Sequence, residues 1–252
     1  MHKQISSSLC DMRSEPKIRA ILETQLLFGE QVIILKKLSN WFYCKAKNDG
    51  YLGWIMDKNL VDCTSYTHVV SSLICHCYEE DNIKSRVVKN LYLNSKVKII
   101  KKKGDWRICK IDNKIVYIYK KHLIEKNKIS SNWLNYALFF EKVPYLWGGK
   151  SALGIDCSGL VQVCLNLAGY KFPRNTNDQI FYLKNKSEKI IQKGCLIFWD
   201  KHVAIALDKK RIIHSNAYHL CVEIEDFTEA KKRIKKNYGE IKAIKKVDNL
   251  FF

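Results

Sequence analysis

At Cys157 the hydrophobic step of the chain changes, and the helical pattern that begins there narrows the possible folds more than any other feature. Leu160, Val161, Cys164, Leu165 and Ala168 recur at steps of three and four, Gly169 offers a C-terminal stop, and Pro173 forbids much continuation. Cys157 therefore stands in the first turn of a helix. Beyond it, short apolar runs at 194–199, 202–207, 211–214 and 220–224 read as buried strands separated by turn residues. A helix bearing a cysteine, packed on an antiparallel sheet, is an α+β arrangement.

The position of Cys157 suggests a use for it. The first turn of a helix leaves backbone N–H groups unpaired, and with the positive end of the macrodipole they favour a thiolate over a thiol. The same amides can hold an oxyanion. In the loop ahead, Gly148, Gly149 and Gly154 allow close backbone approach, and Gly159 allows the helix to pack tightly. Asp156 is placed as an N-cap.

Two histidines lie downstream on the expected strands. With the turn between them centred on Asp208, antiparallel register sets His202 directly opposite His214 on one sheet face, whereas a one-residue slip would separate them. One imidazole then exchanges a proton with the sulfur and the second orients the first. The residues assign Cys157 as nucleophile, His202 as base and later acid, and His214 as the orienting group.

The N-terminal half has a different grammar. Segments 24–35, 40–44 and 49–55 read as short strands broken by turns, as in a small β-barrel. A weaker second copy runs through 91–100, 104–109 and 115–119. Asn40-Trp41-Phe42-Tyr43-Cys44-Lys45 and Asp105-Trp106-Arg107-Ile108-Cys109-Lys110 are the clearest parallel, and they suggest a tandem repeat. The expected domains are 1–62, 63–126 and 127–252.

Residues 127–252 resemble the NlpC-type papain-like cysteine peptidases. The resemblance rests on Pro144-Tyr145-Leu146-Trp147-Gly148-Gly149, Asp156-Cys157-Ser158-Gly159-Leu160-Val161-Gln162, Pro173-Arg174, Gln179, Gly194-Cys195-Leu196-Ile197-Phe198 and His202-Val203-Ala204-Ile205. The N-terminal part resembles the bacterial SH3-like domain of cytoplasmic γ-D-glutamyl-L-diamino-acid endopeptidases, in Leu27-Phe28-Gly29-Glu30 and Asp49-Gly50-Tyr51-Leu52-Gly53-Trp54. The implied fold is a papain-like catalytic domain preceded by two small SH3-like β-barrels. The implied reaction is hydrolysis of the amide between γ-D-glutamate and a diamino acid in murein tripeptides or tetrapeptides with a free N-terminal L-Ala, in cell-wall peptide recycling.

The same resemblance implies roles for further residues. Tyr145 would lie near the oxyanion with Trp147 as a wall, Asp156 and Ser158 would meet the amino end of the substrate, and Glu30 and Tyr51 would help to receive the free amine. Two departures stand out. Cys195 replaces the usual aspartate and is apolar enough for a core. Pro173-Arg174-Asn175-Thr176 replaces Pro-Arg-x-Ser, which leaves a hydroxyl at Thr176.

The formal net charge is +19, from 44 Lys and Arg against 25 Asp and Glu, but the lysines are scattered in pairs and triplets such as Lys101-Lys102-Lys103. That pattern reads as a solvated surface, and no nucleic-acid partner is predicted. Ten cysteines without paired C-x-x-C motifs suit free thiols in a reducing compartment, and Cys75-His76-Cys77 lacks a second ligand pair. No segment nears the roughly 20 apolar residues of a membrane helix, so a cytoplasmic chain is expected, with no metal or organic cofactor. The competing readings are a papain-like amidase or acyltransferase on another substrate, and a non-catalytic cell-wall-binding protein.

Overall fold

The computed structural model describes residues 1–128, 132–184 and 187–247. The chain divides into two units, Met1–Ile129 and Ser130–Phe252.

In the first unit the strands form two sets. The first comprises β1 (His2–Ile5), β2 (Leu9–Arg13), β3 (Leu22–Leu27), β4 (Gln31–Leu38), β5 (Trp41–Ala46), β6 (Leu52–Met56) and β7 (Leu60–Val61), ordered β3-β2-β6-β5-β4-β1-β7. Alternation drives it: Cys10 and Met12 turn inward from β2 while Leu9, Asp11 and Arg13 do not. Ile5, Cys10, Met12, Leu26, Val32, Cys44, Ala46 and Ile55 close around one core.

The second set comprises β8 (His68–Val70), β9 (Ile74–Tyr78), β10 (Val87–Tyr92), β11 (Lys96–Val97), β12 (Ile99–Lys103), β13 (Trp106–Ile111), β14 (Lys114–Tyr119) and β15 (Leu123–Glu125). These make a five-stranded sheet, β10-β9-β14-β13-β12, and a three-stranded one, β11-β8-β15. The strand period splits Cys75-His76-Cys77, sending both thiols into the core and the imidazole outward. That is packing, and the three side chains do not share a face.

The two sets are copies. Trp41 and Trp106 open β5 and β13, Cys44 and Cys109 sit in the respective cores, and Gly29 (φ +77°) and Asn94 (φ +73°) take the same left-handed turn. They are also tied together. Phe28, from the first copy, is buried in the core of the second beside Val97 and Cys109, and its carbonyl accepts from the Lys96 N–H at 2.8 Å. A Cβ on Gly29 would lie 2.4 Å from the Lys96 carbonyl oxygen, so only glycine fits that junction.

The second unit holds α1 (Trp133–Phe139), the hairpin β16 (Lys150–Ser151) and β17 (Gly154–Ile155), α2 (Cys157–Leu167) and α3 (Thr176–Tyr182). After them come β18 (Cys195–Trp199), β19 (His202–Ala206), β20 (Arg211–Asn216), β21 (Cys221–Asp226), α4 (Phe227–Tyr238) and β22 (Ala243–Lys246). The antiparallel sheet runs β21-β20-β19-β18-β22. Its two faces are covered differently. Cys195, Ile197, Trp199, Ala204, Ala206 and Ile212 pack with Ala230 and Ile234 of α4, so Cys195 is core as its apolar character requires. The opposite face carries Ser215, whose hydroxyl donates to the Ile155 carbonyl just ahead of α2 at 2.6 Å.

Candidate active site

The helix that carries Cys157 starts where the sequence places it. Asp156 is the N-cap, with Oδ1 accepting from the Gly159 N–H at 2.7 Å. The same carboxylate accepts from the Gly148 N–H at 2.8 Å and from Arg174 on both oxygens, at 2.8 and 2.6 Å. Ser158 donates to Asp156 and accepts from Arg174. Arg174 is 3% exposed and Asp156 7% exposed, so this is a buried, fully hydrogen-bonded ion pair. Gln179 adds a clamp, its amide donating to the carbonyls of Ser158 and Pro173 at 2.9 Å each. Gly159 is needed for the approach of the preceding loop, because a Cβ there would lie 2.5 Å from the Gly149 carbonyl oxygen.

The register of β19 and β20 differs from the expected one. Ile205 faces Ile213 and Ala206 faces Ile212, two residues away from a turn centred on Asp208. A shift of two preserves the face, so the histidines meet on the diagonal: His202 Nε2 and His214 Nδ1 are 2.8 Å apart. His214 Nε2 lies 2.6 Å from Glu225 Oε1 on β21. The His202 ring is stacked on Tyr238 at 5.5 Å and flanked by Trp199 at 5.8 Å.

Cys157 approaches from the α2 side. The backbone amides of Val203, the residue after His202 on β19, and of Ser158 act on its sulfur and favour the thiolate. Burial, and then the Asp156 carboxylate, push the thiol up to about 11, against the opposing pull of those amides and Arg174. The helix terminus by itself would move it the other way. Exclusion from water and a carboxylate one residue away outweigh the dipole. Burial also holds His202 well below the ordinary imidazole range, reinforced by His214 and Arg233. Taken singly, sulfur and imidazole are thus each pushed toward the neutral form.

The remaining expected residues fall in varied surroundings. Tyr145 donates its N–H to the Leu220 carbonyl at 2.8 Å, and its hydroxyl is raised above the usual phenol range by burial and then by Cys157. Trp147 is 63% exposed. Thr176 is buried at the start of α3. In the first unit, buried Glu30 accepts from the Leu27 N–H at 2.9 Å, and Tyr51 donates to Glu23 at 3.0 Å. Glu225, Arg233 and Tyr238 carry no signal of their own in the sequence. Glu225 alternates with Glu223 along one strand and nothing local separates them, because Glu223 is taken by Lys142 while Glu225 faces His214.

A papain-like architecture, a capped cysteine and a two-histidine relay define the class, and comparison with known proteins agrees. Residues 142–238 match the NlpC/P60 family, and residues 12–60 match the bacterial dipeptidyl-peptidase Sh3 domain. The chain thus carries an NlpC/P60 domain behind a bacterial SH3 domain. It is 26% identical to dipeptidyl-peptidase 6 of Lysinibacillus sphaericus, over 86% of this chain and 88% of that one. To the γ-D-glutamyl-L-lysine dipeptidyl-peptidase of Bacillus subtilis it is 23% identical, over 83% and 77%. The crystal structure of an NlpC/P60 family protein from Bacillus cereus shares the fold, with a TM-score of 0.82 at 19% identity over 98% of this chain and 99% of the other.

Proposed function

We propose that this protein is a cysteine peptidase that hydrolyses the amide between γ-D-glutamate and a diamino acid in peptidoglycan-derived peptides bearing a free N-terminal L-Ala. The observation that carries the reading is the linked pair of imidazoles, His202 Nε2 to His214 Nδ1 at 2.8 Å, in one unit with a cysteine in the first turn of a capped helix. His214 occupies Nε2 of His202, so Nδ1 is the nitrogen left to take the proton of Cys157. The sulfur attacks the γ-carbonyl, and the oxyanion is received by the Cys157 N–H, left over by the helix, and by Tyr145. His202 then protonates the departing amine, and water resolves the thioester.

Two relatives are dipeptidyl-peptidases by name, one of them acting on γ-D-glutamyl-L-lysine, which supports release of L-Ala-γ-D-Glu. Trp147 forms an apolar wall in this reading, and the Thr176 hydroxyl takes the place of the serine that the resemblance implies. Asp156 and Ser158 serve the amino end. Because Arg174 already neutralises Asp156, the second carboxylate for an ammonium is Glu30, assisted by Tyr51; both enter on the resemblance alone. The +19 net charge would steer peptides rich in carboxylates toward the protein. The same reading divides the chain at 63 and 127. It also assigns the work to cytoplasmic recycling, supported by ten free cysteines, eight of them buried. Among the described residues no helix is long and apolar enough to cross a membrane.

Incubation of the purified chain with L-Ala-γ-D-Glu-meso-diaminopimelate and with its L-Lys counterpart, read by mass spectrometry, tests the proposal. L-Ala-γ-D-Glu should appear with the intact protein and not with Cys157→Ala. Acetylation of the substrate amine should suppress cleavage. Equal cleavage of both forms would remove Glu30, Tyr51 and Asp156 from amine recognition, and undiminished turnover by Cys157→Ala would falsify the nucleophile.

A further inference from the structure

Beyond the two histidines the chain of contacts continues. Glu225 on β21 is met from three directions: His214 Nε2 of β20 at 2.6 Å, His219 Nε2 of the β20–β21 connection at 3.2 Å, and Arg233 of α4 by a fork at 2.6 and 2.5 Å. The Arg233 guanidinium in turn lies over the Tyr218 ring at 4.3 Å. A carboxylate with this many donors is more than a surface charge.

Donor counting gives it a consequence. Burial alone would raise the Glu225 carboxyl, but the bonds from His214, Arg233 and His219 outweigh it, so Glu225 stays ionised and only accepts. His214 must then present N–H at Nε2 and a lone pair at Nδ1. His202 must meet that lone pair with its own Nε2–H, which leaves its lone pair on Nδ1. The order of hydrogens along Glu225, His214 and His202 is thus set from the carboxylate end.

We propose that Glu225, held by Arg233, is a positioning residue of the catalytic relay: it fixes both histidines as Nε2–H tautomers and so makes His202 Nδ1 the proton acceptor. The inference deepens the peptidase reading and rests on it for its kinetic effect. The tautomer itself does not depend on any substrate. Arg233 is the tuning group, because its cation opposes the imidazolium that Glu225 supports. The charged and titratable groups facing Glu225 are His214 from β20, His219 from the connection and Arg233 from α4, with His202 of β19 one bond further on. Tyr238, stacked on His202, comes from the same helix as Arg233, so α4 grips the relay at two points.

The test uses the full chain with 15N-histidine and the variants Glu225→Gln, Glu225→Asp and Arg233→Met. Long-range 1H–15N spectra of the unsubstituted protein should show His202 and His214 each as a single Nε2–H tautomer. Glu225→Gln should give mixed tautomers at both and lower kcat by about 10²-fold or more with KM within about twofold. Removing the anion should move the acid limb of the pH profile down, and Arg233→Met, removing the opposing cation, should move it up. Glu225→Asp should restore the single tautomer. Unchanged tautomers in Glu225→Gln, or pH limbs shifted the same way in both charge variants, would overturn the proposal. Correct tautomers in a protein that cleaves no peptide would overturn the peptidase reading and leave this one standing.

Discussion

Replacing Arg174 with methionine tests how the nucleophile's helix is held. Arg174 bonds both oxygens of Asp156, at 2.8 and 2.6 Å, and is almost wholly buried. Without it the carboxylate keeps the amides of Gly148 and Gly159 and the Ser158 hydroxyl, but no cation. Breaking a buried pair by removing one partner costs about 3–5 kcal/mol. For a unit of this size 1 kcal/mol corresponds to about 3–5 °C in Tm, so the unit should melt about 10–20 °C lower. Cys164, fully buried in α2, is a convenient reporter, because its labelling by a thiol reagent across a urea gradient tracks unfolding of this unit within the full chain. The double variant Asp156→Asn/Arg174→Met should recover much of the loss, with a coupling of about 2 kcal/mol or more. A loss below about 1 kcal/mol for Arg174→Met, together with additive single changes, would refute the claim that this pair holds the site.

The same contacts set two further outcomes. With the Cys157 thiol pushed up to about 11, roughly one sulfur in 10⁴ is ionised at pH 7, so alkylation by iodoacetamide should keep rising through pH 7–9; a plateau reached on the acid side of neutrality would show a thiolate–imidazolium pair at rest. Phe28→Ala should cost about 3–5 kcal/mol and expose Cys109 in the second copy as well as disturbing the first, since the ring belongs to the core across the repeat; labelling of Cys109 unchanged by the substitution would contradict that linkage.

Much of the second unit is legible in the sequence because periodicity is a local property. The steps of Leu160, Val161 and Cys164 mark α2, and the apolar runs mark β18 to β21 to within a few residues. The turn between β19 and β20 is harder. Asp208 does organise it, accepting from the N–H groups of Lys210 and Arg211, yet the turn is centred one position further along, which moves every strand partner by two, and only the two-residue period of the strand keeps the histidines together. Strands β1, β2, β8 and β9 lie outside the apolar runs of the sequence, though Cys10 and Met12, and Cys75 and Cys77, alternate plainly once paired. Glu225 has no local mark, because what separates it from Glu223 is a helix that brings Arg233 to it from eight residues downstream. The charge state of Cys157 is hidden for a related reason: helix position is visible in sequence, but exclusion of water is not.

If Cys157 carries the acyl group and His202 moves the proton, the covalent intermediate can be trapped. Acid quenching of the intact protein during turnover of L-Ala-γ-D-Glu-L-Lys, with mass analysis of the peptide bearing Cys157, should reveal an L-Ala-γ-D-Glu thioester on that sulfur, absent from His202→Ala. An acyl group found on another residue, or equal thioester formation without the imidazole, would contradict both assignments.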